Sequence, residues 1–454
     1  MRVALLIHEL GRSGGVSTIL RYAGALEHCE LVVTDPRAGE LPAQAGDGLP
    51  LRRLADVREE HYDVAIATWW ATAAALWEVR AERRLVFLQS IESRFYEERH
   101  FYERFAAEQV LALPAGFIVV AEWMREVLAE LRPDAPVEVV RGGVDKEVFG
   151  RRPAGGAPGA APGEAAGSAP ASGSGSGSGS GSAAPLRVLV EGQPSLWFKG
   201  VHDAVAATRA MTEPAEVTVV ASDPSAAGGL DGVRVVGGLD PSGMAALYAE
   251  HDVLLKLSRV ESLGLAPIEA FHAGVPAVVA PYTGHEEYLR HGVNGLVVGH
   301  DDMPGTARAL DRLARDPALR ARLAEGALAT ASGWPAAEDS AAGFAQAVRT
   351  LAEGPEPDAA AAVAYLQRAQ TRWLELGREH ARQEHALAEG RRRALDWYED
   401  AYAQARDHVE ELNAALREAD RLARDLQGQI EAVKASRAYR VATAARRLKP
   451  GGGS

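Results

Sequence analysis

Short apolar runs alternate with longer helical patterns, and this rhythm is the feature that most constrains the fold. Six runs in the first third of the chain are rich in Val, Ile and Leu and lack polar alternation: 3–7, 31–33, 64–67, 85–88, 117–120 and 137–140. Such runs are typical of parallel strands that are buried on both faces. Helical stretches such as 17–26 and 121–131 separate several of them. Residues 1–150 are therefore predicted to form a doubly wound, Rossmann-like α/β domain.

The same rhythm begins again at Leu186. The predicted strands are 187–190, 217–220, 233–236, 253–257, 277–280 and 296–298, and the predicted helices include 202–211, 244–250, 268–273 and 303–315. A second Rossmann-like domain is expected over 186–352. Two such domains should face each other across a cleft that the carboxyl ends of their strands border.

Residues 151–185, between the two predicted domains, consist mostly of Gly, Ala, Pro and Ser and end in repeated Gly-Ser. A segment with so little apolar surface cannot offset the entropy lost on ordering. It is predicted to be a flexible linker without chemistry of its own.

The last hundred residues, 353–454, are rich in Ala, Arg, Glu and Leu and show no strand pattern. Over 395–433, apolar residues recur at alternating steps of three and four, which is a heptad pattern. This pattern predicts a homodimer or a helix that packs on another protein, and a solitary helix is the alternative. The segment 434–449 is basic, which fits either contact with an anionic membrane surface or a solvated tail.

Composition limits where the protein works and what it binds. A formal net charge of −13 argues against a general nucleic-acid binder. The single cysteine, Cys29, permits neither an internal disulfide nor a thiolate zinc site. No apolar run approaches the length that crosses a bilayer, and the first residues are interpreted as a strand rather than an export signal. A cytoplasmic protein is expected, with the inner membrane face as a hypothesis for the basic end.

The segment 258–276 carries the strongest chemical signal, because two glutamates flank a glycine and a proline between a strand and a helix. Glu261 lies on the predicted loop and Glu269 lies in the first turns of the helix. Pro267 suits a first helical turn. The amides near Gly264 and Leu265 should then be free to bind a phosphate.

This segment resembles the retaining family-four glycosyltransferases of GT-B fold, which include enzymes of bacterial polysaccharide synthesis. Their hallmark is two glutamates separated by seven residues, with Gly and Pro between them. The resemblance implies that Glu261 is the catalytic residue that contacts the donor sugar and that Glu269 binds the ribose hydroxyls. In the alternative interpretation, Glu269 only offsets the helix dipole and Glu261 is a solvated loop residue.

A second segment follows the strand 187–190, where the family has an arginine six residues before Lys-Gly. Lys199 and Gly200 match that pattern, but Gln193 stands in place of the arginine. By resemblance, Lys199 faces the diphosphate of the donor and stabilises the leaving group. Gln193 can donate hydrogen bonds there but supplies no charge. The alternative for Lys199 is an exposed surface ammonium.

Four residues of the first domain are predicted to complete the site. Gly14 and Gly15 follow the first strand, and in the resembling family this loop closes over the donor phosphate (Gly15) and the acceptor (Gly14). Gln89 and Glu92 match the acceptor-side segment of some bacterial polysaccharide transferases. Packing or helix capping is an equally good explanation of Gln89 and Glu92.

These features predict a retaining, metal-independent glycosyltransferase that moves a hexosyl or deoxyhexosyl group from a nucleotide-sugar to a glycan or lipid-linked acceptor. No Asp-x-Asp or histidine cluster indicates a metal site or other cofactor, so Lys199, amides and helix dipoles are expected to meet the phosphate charge. Two alternatives stay open: a nucleotide-sugar 2-epimerase of the same architecture, and a coiled-coil scaffold that binds nucleotide without turnover.

Overall fold

A computed structural model describes residues 1–436 except 9, 11–13, 36, 38, 40, 47, 98, 151–183 and 227. Three predictions lie wholly or partly outside the described residues. They concern the linker up to residue 183, the start of the glycine loop at 11–13, and the basic end from residue 437 onward.

Eight strands form the first sheet, in the order β3-β4-β2-β1-β5-β6-β7-β8. All neighbours pair in parallel except β3 and β4. The six predicted strands are all present, and the short pair β3 and β4 is additional. The strands are β1 (Arg2–Ile7), β2 (His28–Val33), β3 (Gln44–Ala45), β4 (Leu49–Arg53), β5 (His61–Ala67), β6 (Arg80–Leu88), β7 (Gly116–Val119) and β8 (Val137–Val139).

Six helices follow the strands of this sheet. They are α1 (Gly14–Gly24), α2 (Leu54–Val57), α3 (Trp70–Ala74), α4 (Phe101–Glu108), α5 (Glu122–Leu131) and α6 (Lys146–Phe149). The central strands are apolar on both faces, and Leu5, Ile66 and Ile118 are fully buried. Burial of these strands between helix layers explains why they lack polar alternation.

A second sheet is wholly parallel, in the order β11-β10-β9-β12-β13-β14. Each predicted strand is present, with ends that differ by at most two residues from the prediction. They are β9 (Leu186–Glu191), β10 (Ala215–Ala221), β11 (Arg234–Gly237), β12 (Val253–Lys256), β13 (Ala277–Val279) and β14 (Gly295–Val297).

Seven helices accompany and follow this sheet. They are α7 (Val201–Arg209), α8 (Pro241–Ala249), α9 (Leu265–His272), α10 (Met303–Arg315), α11 (Pro317–Gly333), α12 (Ala337–Glu353) and α13 (Ala359–Ala435). The sequence marks where three of them begin, because Asp240, Asp302 and Asp316 each accept a backbone hydrogen bond at a helix start that also contains proline.

Helix α12 packs on the first sheet, although nearly all of it lies inside the range 186–352 that was predicted for the second domain. The Phe344 ring stacks on Tyr22 with centroids 4.8 Å apart and meets the edge of Phe87 at 5.1 Å. Just before this helix, the indole of Trp334 donates a hydrogen bond to the carbonyl of Gly142 (2.8 Å). The chain therefore crosses between the two domains a second time near Trp334.

Helix α13 is continuous over 77 residues. Residues up to Thr371 belong with the two sheets as one compact unit, and the helix from Arg372 onward forms a second unit. In that second unit the seam residues Leu395, Val409, Leu412, Leu416 and Ile430 are exposed. None of the helices within the described part of the chain has the length and apolar content needed to span a membrane.

Candidate active site

The carboxylate of Glu261 lies at the centre of a charged cluster at the carboxyl edge of the second sheet. Its Oε1 accepts hydrogen bonds from Lys199 Nζ (2.7 Å), Lys256 Nζ (2.8 Å) and Ser258 Oγ (3.0 Å). Burial raises the pKa of Glu261, but the two ammonium groups outweigh burial and bring it down to about 2. Glu261 is therefore ionised and held through one oxygen.

Lys256 and Glu191 are members of this cluster that sequence analysis missed. Lys256 is the last residue of β12, and its side chain is only 2% exposed. Its ammonium contacts Glu191, the last residue of the neighbouring strand β9, as well as Glu261. Burial lowers the pKa of Lys256, but these two carboxylates raise it well above its usual range. In the sequence, each of them is a charged residue at the end of a buried apolar run, and this pattern could have identified them.

Helix α9 begins beside this cluster, and its first residues adopt the geometry that the sequence predicted. Gly264 precedes the helix with φ of 77°, and a Cβ at this position would lie 2.9 Å from Tyr282 Oη. Only glycine tolerates both the backbone angle and the close approach. The amides of the following residues, beginning at Leu265, form the free start of the helix.

Glu269 lies on α9, where its Oε2 accepts a hydrogen bond from the Tyr248 hydroxyl (3.0 Å). Burial raises the pKa of Glu269 to about 7, the hydroxyl opposes this increase, and the negative charge of Glu191 adds to it. The positive charge of Arg21, on α1 of the first domain, lowers the same pKa. Glu269 thus titrates near neutral pH, whereas Glu261 does not.

Lys199 ends the 3₁₀ turn Trp197–Lys199 in the loop between β9 and α7. Gly200 follows with φ of 63°, and a Cβ there would lie 2.2 Å from the carbonyl oxygen of Leu257. This close approach brings the lysine loop against the strand that carries Lys256. The structure therefore places Lys199 and Glu261 together.

Gln193 lies at the start of the same loop, but its hydrogen bonds go elsewhere. Its Oε1 accepts from Ser222 Oγ and from the amide of Asp223, both at 2.9 Å, and its Nε2 donates to the Asp223 carbonyl. The side chain thus fastens the loop after β10 in this structure.

The first domain brings Gly15 and Gln89 together at the carboxyl edge of its sheet. A Cβ at Gly15 would lie 3.3 Å from Gln89 Oε1, so the side chain of Gln89 lies against the start of α1. Gly14 is the first residue of α1 and is exposed. The glycine pair thus forms an open helix start with a side-chain amide beside it.

Glu92 has a different setting, because it is only 4% exposed. Its Oε2 accepts a hydrogen bond from the amide of Trp70 (2.7 Å), the first residue of α3. Burial raises the pKa of Glu92 to about 8, and this hydrogen bond opposes the increase. In this structure Glu92 caps a helix, as the structural alternative proposed.

Contacts between the two domains converge on the loop that carries Glu261. The Trp123 indole donates to the Ser262 carbonyl (2.6 Å). Arg94 donates to Thr283 Oγ1 (2.7 Å), which in turn donates to the Glu261 carbonyl (3.1 Å). These contacts were not predicted, since a sequence does not show which loops of two domains meet.

Aromatic rings join the segment after β6 to the lysine loop. Phe95 stacks on Phe198 with centroids 5.0 Å apart, and the Trp197 indole donates to the Phe95 carbonyl (3.0 Å). Within the described parts of the chain, three or more His, Cys, Asp or Glu residues are nowhere grouped so that they could hold a metal ion.

One family model matches the part of the chain that carries the two glutamates. Residues 221–330 match the model described as "Glycosyl transferases group 1". The D-inositol 3-phosphate glycosyltransferase of Frankia alni is 38% identical over 91 residues, which make up 20% of this chain and 22% of that protein. The chain thus matches less than a quarter of the length of this relative.

Solved structures match both domains. Sucrose-phosphate synthase from Thermosynechococcus elongatus aligns with a TM-score of 0.61 and 18% identity over 77% of this chain and 99% of that one. HepE from Anabaena in complex with UDP-glucose aligns with a TM-score of 0.58 and 17% identity over 77% of this chain and all of that one. These likenesses show that the chain has a GT-B fold, and the family match shows a glycosyltransferase group 1 domain over residues 221–330.

Proposed function

We propose that this chain is a retaining glycosyltransferase that moves a sugar from a nucleotide diphosphate to a glycan or lipid-linked acceptor. The observation that carries the proposal is the contact of Lys199 with Glu261 beside the start of α9, the helix that also carries Glu269. The two glutamates lie inside the segment that matches the glycosyltransferase family model. The structurally similar protein HepE was solved in complex with UDP-glucose, which supports a nucleotide-sugar as the donor.

The charges of the cleft suit each part of such a donor. The free amides at the start of α9 and the ammonium of Lys199 would bind the diphosphate without need of a metal. Glu269 would accept hydrogen bonds from the ribose hydroxyls, with its ionised form as the stronger acceptor. The side chain of Glu261 would contact the donor sugar through Oε2, which receives no hydrogen bond from the described residues.

The pKa of Glu261 decides its part in this mechanism. A carboxylate with a pKa of about 2 is a weak base, so Glu261 is suited to orient the sugar rather than to accept the acceptor's proton. We propose front-face transfer. The acceptor oxygen forms its bond to the anomeric carbon on the face from which the phosphate oxygen leaves, and that phosphate oxygen takes the proton. Closure of the two domains would exclude water and limit hydrolysis of the donor.

The test is to incubate the full chain with UDP-, GDP-, ADP- and dTDP-sugars and to measure the released nucleoside diphosphate with and without glycan acceptors. NMR of the product gives its anomeric configuration. Glu261→Gln should lower transfer at least a hundredfold, while the exposed Glu325→Gln on α11 serves as the matched control. An epimerised sugar would favour the epimerase alternative, and nucleotide binding without any product would favour the scaffold.

We further propose that the exposed seam of α13 pairs with the same seam of a second copy. Apolar side chains at heptad spacing lose contact with water when two such helices pair. Leu412→Asp should convert a dimer to a monomer in sedimentation velocity, whereas Ala414→Asp, two residues away and off the seam, should not. Unchanged mass in both variants would refute the pairing.

We also propose that the protein works in the cytoplasm and meets anionic lipid through 434–449. Binding of the full chain to phosphatidylglycerol vesicles should fall when this segment is deleted. Unchanged partitioning would reject the membrane contact.

A further inference from the structure

Two lysines donate to the same oxygen of Glu261, yet they are held very differently. Lys199 lies on a loop and its side chain is 21% exposed, whereas Lys256 ends a central strand and is 2% exposed. Lys256 also contacts the carboxylate of Glu191, so it is fixed from two sides. Lys199 is thus the more exposed cation of the pair and has one carboxylate partner, whereas Lys256 is buried and has two.

The presence of lysine rather than arginine at positions 199 and 256 fits this arrangement. The chain has only five lysines, and the other 44 of its 49 basic residues are arginine. Two of those five lysines meet at Glu261. A compact ammonium can share a single oxygen with a second donor, whereas the planar guanidinium of arginine favours bidentate pairing.

We propose that Lys256 is a positioning residue that serves as the permanent counter-ion of Glu261, so that Lys199 can leave Glu261 for the donor diphosphate. This inference rests on the proposed function. With donor bound, Lys199 pairs with the diphosphate, and Lys256 together with Ser258 continues to hold Glu261 Oε1. Glu261 Oε2 then keeps its orientation toward the sugar.

The electrostatic reason lies in the carboxylates of the cleft. The carboxylates of Glu191 and Glu261 both contact the ammonium of Lys256, and the negative charge of Glu191 raises the pKa of Glu269. If Lys256 were absent, Lys199 would be the only ammonium close to Glu261 among the residues that the structure describes. A diphosphate would then have to compete with Glu261 for Lys199, and its binding would leave a buried carboxylate unpaired.

Removal of Lys256 alone also leaves Glu191 unpaired, so the test is made in a background that lacks this charge. Glu191→Gln is compared with the double variant Glu191→Gln, Lys256→Met, and thermal unfolding verifies that both are folded. In the double variant we expect the Kd of inorganic pyrophosphate, measured by calorimetry, to rise at least tenfold although Lys199 is present. We also expect kcat to fall at least tenfold, because Glu261 loses its position in the donor complex.

A merely structural Lys256 would give a different result. Once both variants are folded, equal pyrophosphate affinity and equal kcat would overturn the inference. If the wild-type chain releases no nucleoside diphosphate from any donor, the proposed function fails, while the pyrophosphate measurement still tests the counter-ion role on its own.

A measurement on the wild-type chain covers the case in which the double variant does not fold. Labelling with ¹⁵N-lysine gives five side-chain signals, which Lys199→Arg and Lys256→Arg assign. Pyrophosphate should shift the ammonium signal of Lys199 and leave that of Lys256 in place. A shift of Lys256 with Lys199 unmoved would contradict the proposal.

Discussion

Replacement of Glu269 by glutamine should make the protein more stable at alkaline pH and at the same time weaken donor binding. The pKa of Glu269 is about 7 in the folded protein, against an ordinary value of 4.5. Between these pH values the folded chain keeps a proton that the unfolded chain has released. By linkage, the free energy of unfolding therefore falls as the pH rises from about 4.5 to 7. Glutamine does not titrate, so the variant avoids this loss.

The magnitude follows from the size of the pKa increase. A change from 4.5 to about 7 corresponds to about 3 kcal/mol at pH 8. Because Glu269 is half-buried, water screens part of this cost, and roughly 1–2 kcal/mol is expected. For a domain of this size that amounts to roughly 2–8 °C in Tm at pH 8, with a smaller gain at pH 5.

The assay is thermal unfolding of the full chain at pH 5 and pH 8, with Glu325→Gln as the exposed control. The donor KM of Glu269→Gln should rise roughly 10–100-fold, since a hydrogen bond to a charged acceptor contributes about 1.5–3 kcal/mol. An equal Tm difference at both pH values, or a variant that is less stable at pH 8, would refute the electrostatic reasoning. An unchanged KM would instead refute the assignment of Glu269 to the ribose.

Three further outcomes are expected. Gly264→Ala should lower the Tm, because the left-handed backbone costs roughly 1–2 kcal/mol and the new Cβ would lie 2.9 Å from Tyr282 Oη; an unchanged Tm would contradict this. Trp123→Phe removes the donor to the Ser262 carbonyl, worth about 1 kcal/mol, and amide exchange in that loop should become about fivefold faster. Burial raises the pKa of Cys29 to about 12, so its thiol should resist a disulfide reagent at pH 8 until the chain is unfolded; prompt reaction of the folded chain would show that it is not buried.

The sequence predicted the strands of both sheets well, because each buried parallel strand is a continuous apolar run. The exceptions are β3 and β4, whose segments are short and include Pro50, Arg52 and Arg53, so that no apolar run marks them. Strand β4 pairs with β2, and β3 pairs with β4, so both depend on a neighbouring strand rather than on their own composition.

Sequence analysis found the members of the candidate site that are close together in the chain and missed those that meet only through the strand order. Glu261, Gly264 and Glu269 lie within nine residues of one another, so a strand followed by a helix is enough to place them. Lys256 and Glu191 are 65 residues apart and meet only because β9 and β12 are neighbours in the sheet. Considered alone, each is an ordinary charged residue at the end of a strand, with nothing to indicate its partner.

Both domains together determine the position of Glu261. Its side chain is held by two lysines of the second domain, whereas the backbone of its loop is held from the first domain by Trp123, and by Arg94 through Thr283. Separation of the domains would break the backbone contacts and leave the lysine contacts intact. The carboxylate would then keep its charge but lose its fixed orientation. It follows that domain closure can control the proposed transfer through the geometry of Glu261 without any change in the ionisation of Glu261 itself.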